Sequence, residues 1–98
     1  MESMRLEEIA PEFREATLKT CLSSREPLRL TAFPKKQKKK IVLMDEVVKQ
    51  FEPGRTYSEP EVSGMLKEIY GDFTTLRRAL VDYGYLGRTD TGSEYWVR

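Results

Sequence analysis

The chain has 98 residues, 39% of them hydrophobic and 34% charged, which suits one small domain around a single core. Seventeen basic and sixteen acidic residues leave a net charge of +1, so only the distribution of charge can select a partner. With no histidine and one cysteine, Cys21, the chain has no internal disulfide, no cysteine-built zinc site and no Ser/His or Cys/His nucleophile pair. The expectation is a protein that is not an enzyme and uses no cofactor.

The opening MESMRLEEIA is acidic and lacks the apolar centre of a signal peptide. No apolar run is long enough to span a membrane, so a cytoplasmic protein without a membrane partner is expected. Pro11 fits the first turn of a helix and predicts a start at Ala10 or Pro11, continuing through Ser24. Phe13, Thr17, Leu18, Cys21 and Leu22 form its apolar strip. Cys21 is expected to be a small buried hydrophobe. The piece EPLRLTAFP then reads as extended chain, because Pro27 and Pro34 disfavour helix before them.

A second helix is predicted from Pro34 to Phe51, with Ile41, Met44, Val48 and Phe51 on one face, widened by Leu43 and Val47. Glu52, Pro53 and Gly54 stop it. Residues 55–58 read as a short strand. Ser58 and Glu61 have capping-box spacing and open a third helix, buried through Val62, Met65, Leu66 and Ile69. Gly71 is expected as a left-handed cap, and Asp72 as the cap of a fourth helix reaching Tyr83. The tail YLGRTDTGSEYWVR reads as a hairpin turning at Asp90 to Gly92, with Tyr95 and Val97 facing one way and Trp96 the other.

Helix, strand, helix, tight turn, helix and hairpin is the order of a winged helix. The expected fold class is therefore α+β, with residues 1–34 as a helical extension and residues 35–98 as the winged-helix domain. In such a unit the helix after the tight turn enters the DNA major groove. Its outward face carries Thr74, Thr75, Arg78 and Asp82, with Arg77 nearer the boundary. Arg78 can read guanine O6 and N7, the threonines can meet phosphates or a thymine methyl, and Arg77 can reach a phosphate. The plain alternative is an Arg78–Asp82 pair on a solvated surface. The hairpin tip holds only Arg88 and Asp90, which argues against a strong grip by the wing.

Lys35, Lys36, Lys38, Lys39 and Lys40 crowd the start of the second helix, where the macrodipole repels cations by about 0.3–1 kcal/mol each. Backbone N–H groups and positive charge together make an anion site there, and DNA phosphates are the obvious anions. A solubilising charge run is the plain reading.

FPKKQKKK, FEPGRTYSEPEV and GDFTTLRRALVDYGYLGRTDTGSEYW resemble a family of small bacterial domains of unassigned function. Its members occur alone or C-terminal to helix-turn-helix regions in candidate transcriptional regulators. The resemblance runs from about Arg14 to Trp96 and implies a role in transcription, with no ligand or catalytic residue attached. The first function expected is a DNA-binding regulator on double-stranded DNA, with a homodimer through the N-terminal helix as a further partner. The alternative is a winged-helix module for protein interaction or dimerisation. A continuous positive stripe from the lysines to Arg77 and Arg78 favours DNA; a charge-mixed fourth helix facing an apolar patch favours a protein.

Overall fold

Four consecutive helical residues point about 100° apart and so look in every direction. Residues 41–44 do this inside helix α2 (Gln37–Val48), and all four are buried, as is Val47. This turn has no water-facing side, and the other elements surround it. The computed structural model describes residues 8–98; residues 1–7 of the acidic opening lie outside the described residues.

The element order is α1 (Pro11–Cys21), β1 (Leu22–Arg25), β2 (Leu28–Leu30), α2, β3 (Thr56–Ser58), α3 (Glu59–Ile69), α4 (Phe73–Asp82), β4 (Leu86–Arg88) and β5 (Glu94–Val97). The fold is α+β, with four helices and two small antiparallel sheets among the described residues. One sheet is the β1–β2 hairpin. The other has the order β3-β5-β4, with Tyr57 opposite Tyr95 and Gly87 opposite Trp96. This layout is compatible with a winged-helix arrangement.

Helix α1 lies on α2 of its own chain, burying Thr17, Leu18 and Cys21. The Arg14 guanidinium donates to Asp45 Oδ2 at 2.8 Å and to Glu46 Oε1 at 2.7 Å. Lys49 adds a contact to Glu46 at 3.0 Å. Burial pushes the Glu46 carboxyl up, but hydrogen bonds from Lys49 and Arg14 outweigh it and hold the group below its usual value. Beside this cluster burial pushes the Tyr85 phenol up, and its hydroxyl donates to Ile41 O at 3.4 Å. On the far side, Phe51 meets Tyr57 edge-on at 5.2 Å, and Glu52 N–H donates to the Tyr57 hydroxyl at 2.7 Å. Those contacts fix the turn from α2 into β3.

Four expectations need correction. The first helix stops at Cys21 rather than Ser24, because Leu22 is already extended (φ −106°, ψ 133°) and begins a hairpin. The segment after it is not plain extended chain: β1 and β2 pair, with Thr31 N–H donating to Cys21 O at 2.8 Å. The second helix begins at Gln37, since Lys36 is extended (ψ 132°), and ends at Val48 rather than Phe51. Gly71 is not left-handed; Tyr70 is extended (φ −152°) and ends α3 by itself, while Gly54, Gly84 and Gly92 hold the positive φ angles among the described residues.

The capping box of α3 is formed: Glu61 N–H donates to Ser58 Oγ at 3.3 Å, and Ser58 N–H to Glu61 Oε1 at 2.9 Å. Those bonds from Ser58, backbone first, lower the Glu61 carboxyl below its usual range. Ser58→Ala should cost about 0.5–2 kcal/mol in urea unfolding; an unchanged midpoint would contradict a stabilising cap. Glu46 is also lowered, so its contribution is full above about pH 4.5 and is lost as pH falls through its lower folded value. Removing its partner by Arg14→Gln should make the acid loss of stability below about pH 4.5 shallower. An identical acid profile would remove Glu46 as a contributor.

Candidate nucleic-acid interface

Helix α4 is fixed at its start by Asp72. Its carboxylate accepts from Thr75 N–H at 3.3 Å and from Thr75 Oγ1 at 2.7 Å. Leu76, Ala79 and Leu80 face the core, which turns Thr74, Thr75, Arg78 and Asp82 outward as the spacing predicts. The Thr75 hydroxyl is engaged with the cap; Thr74 makes no side-chain hydrogen bond among the described residues. Arg78 is exposed and forms no ion pair among the described residues, so the surface pair with Asp82 is not made.

Arg77 sits differently. Its Nη1 donates to Glu59 Oε1 at 2.8 Å and to Ser63 Oγ at 2.7 Å, and Ser63 Oγ donates to the same Glu59 oxygen at 2.6 Å. This closed set ties α4 to α3. The neighbouring arginines therefore have separate circumstances: Arg77 is engaged within the fold, and Arg78 is open to solvent.

The lysines are also divided. Lys35 and Lys36 are exposed and precede the first helical residue of α2. Lys36 is the cap position, yet no side chain caps the helix and its first turn has no acid to offset the lysines. Lys38 lies over the Phe13 ring of α1, with Nζ 4.3 Å from the centroid. Lys40 lies on another side, over Phe33, at 5.8 Å. Contacts of this kind offset part of the repulsion from the helix dipole, by about 0.5–1 kcal/mol at exposed sites. Lys39 is half-buried.

Three surface hollows meet along α4. One of about 290 Å³ is lined by Phe33, Lys40, Thr74, Thr75, Arg78 and Tyr83 among others. The next, about 490 Å³, lies between α4 and the terminal hairpin and includes Thr74, Arg77, Arg78, Arg88 and Tyr95. The third, about 550 Å³, includes Arg88, Trp96 and Arg98. Arg78 borders the first and second, and Arg88 the second and third. Lys40, Arg78, Arg88 and Arg98 therefore form a positive band across α4 and the hairpin, interrupted by Asp82 and Asp90.

The hairpin is braced by its own tip: Arg88 Nη1 donates to Thr89 O at 2.9 Å and Asp90 O at 3.3 Å. Leu86 and Tyr95 close the core beneath it, while Trp96 stands outside. Arg98 was not foreseen as part of the band. Its nearness to Arg88 depends on strand register, which no local motif announces.

Residues 29–97 match the family described as "Uncharacterized protein conserved in bacteria (DUF2087)". No curated protein and no solved structure was found to match. The matched span begins within β2 and runs through β5, so it includes α2, the whole of α4 and the three-stranded sheet, and leaves out α1. On a match over most of its length, the chain belongs to this bacterial family.

Proposed function

We propose that this chain is a winged-helix module of transcriptional regulation that binds double-stranded DNA. The observation that carries the reading is the band of Lys40, Arg78 and Arg88, neighbours around two adjoining hollows on the outward side of α4. The sheet order β3-β5-β4, with α3 and α4 between β3 and β4, supports the winged-helix part. Helix α4 enters the major groove, and Arg78, with no protein partner among the described residues, reads a guanine edge with two of its guanidinium N–H donors. Thr74 meets a phosphate or a thymine methyl beside it. Lys36 and Lys40, with the uncapped start of α2, take the flanking phosphates. Arg88 touches the backbone from the wing. Arg77 has a positioning role, because Glu59 and Ser63 already use it.

A protein-binding role for α4 lacks comparable support. Among the described residues Trp96 is the large hydrophobic side chain that stands exposed, and it belongs to β5, not to α4.

The neighbouring arginines make a controlled comparison. Arg78→Ala should leave urea stability within about 0.5 kcal/mol of the parent. On a selected duplex site it should cost about 1–3 kcal/mol and relax preference at one base. Arg77→Ala should lower stability by about 0.5–1.5 kcal/mol through the lost tie to α3. Equal binding by Arg78→Ala and the parent, on a site the parent prefers, would remove the reading role. For Lys40→Gln the slope of log affinity against log salt should shrink by about 0.9, the value for one phosphate contact. An unchanged slope would leave Lys40 as a solvated charge.

A further inference from the structure

Trp96 has no place in the major-groove reading, and its setting is unusual for the largest apolar side chain. It is 37% exposed. It stands opposite Gly87 on β4, and the indole lies across that glycine. A β-carbon at Gly87 would fall 2.6 Å from Cε2 and 2.9 Å from Cζ2 of the ring, closer than such atoms approach. Only glycine lets the indole lie down on the strand. One side of the ring is thus covered by the sheet, and the exposed part borders a hollow of about 550 Å³.

The walls of that hollow carry charge. Its lining includes Arg88, Arg98 and one acidic side chain, Asp90; Arg98 shares the Trp96 face of the hairpin, while Arg88 pairs with Tyr95 on the other. Arg88 is held in position by the carbonyl oxygens of Thr89 and Asp90. The Arg98 backbone is held by its N–H bond to Tyr85 O at 3.1 Å, and its guanidinium has no hydrogen-bond or ion-pair partner among the described residues. Val81 of α4 supplies an apolar edge. A ligand for this site needs a flat ring for the indole and an anion for Arg98.

We infer that the hollow beside Trp96 is a stacking site for an unpaired nucleotide, with the base on the indole and the phosphate on Arg98. Aromatic faces stack every base with little regard to sequence, and guanidinium groups bind phosphate oxygens with two parallel hydrogen bonds. The inference goes beyond the duplex reading, because a base inside a duplex cannot stack on a side chain. The nucleotide is either free or part of a single strand. Both present the same chemistry.

The chain has one tryptophan, so indole fluorescence reports this site alone. The test titrates the full chain with AMP in one arm and with a hexadeoxyadenylate strand in the other, with no duplex present. The expected result is saturable quenching in at least one arm, and the arm that responds identifies the source. Arg98→Gln should weaken that binding roughly tenfold with an unchanged melting temperature. Trp96→Leu, checked for folding by circular dichroism, should weaken binding of a labelled hexanucleotide roughly tenfold or more in an anisotropy assay. Absence of quenching in both arms would overturn the inference, and so would an Arg98→Gln chain that binds as the parent does. Either failure leaves duplex binding untouched, since it is measured separately. If Trp96→Leu does not fold, the Arg98→Gln titration decides alone.

Discussion

The constraint on which the structure depends is the full burial of one turn of α2. Ile41, Val42, Leu43 and Met44 are each 2% exposed or less. A helix with one apolar stripe can lie on a surface, but a turn that is apolar all round has to be enclosed. Helices α1 and α4 press on α2 directly, and α3 joins the same hydrophobic cluster through Val62, Leu66 and Ile69. The hairpin β1–β2 closes it with Leu28 and Leu30. The enclosing elements come from both sides of α2 in the chain, so the N-terminal part and the remainder share one core.

This constraint also bears on the lysines. Immediately before a turn that is wholly buried, the chain must return to water, and residues 35–40 are the polar end by which α2 does so. Lysine stems can cover apolar surface while the ammonium groups stay hydrated. Two of these stems end over Phe13 and Phe33, aromatic rings at the edge of the core. Solvation and ring contact account for part of the charge at an unfavourable helix end. Lys40 additionally faces the hollow that it shares with Arg78, and there a structural and a phosphate-binding role coexist in the proposal.

Local signals in the sequence were legible where the chemistry was local. Ser58 and Glu61, three residues apart, form the predicted capping box, and Asp72 caps α4 as expected. Gly92 takes the left-handed turn of the hairpin (φ 71°), and the alternation of Tyr95 and Trp96 correctly separates inside from outside. What could not be read was set by distance in the chain. Leu22 continues the helical spacing from Leu18, and nothing nearby shows that it pairs with Leu30 instead. Val42 lies off the face defined by Ile41 and Met44, and only the enclosure of α2 explains its burial. Arg77 and Arg78 are adjacent and chemically identical; Glu59 and Ser63, on another helix, make one a tie and leave the other open. The candidate site was thus legible as a helix face, but its continuation to Arg98 depends on the register of β4 and β5.

The central claim is that the positive band meets the phosphates of a duplex. The direct measurement is a binding titration of the unmodified chain with random-sequence duplex DNA, repeated across a series of salt concentrations. Lys36, Lys40 and Arg88 on phosphates predict measurable affinity at low salt, with log affinity falling against log salt at a slope of about −2 to −3. No binding at low salt, or binding whose affinity is indifferent to salt, would contradict the account.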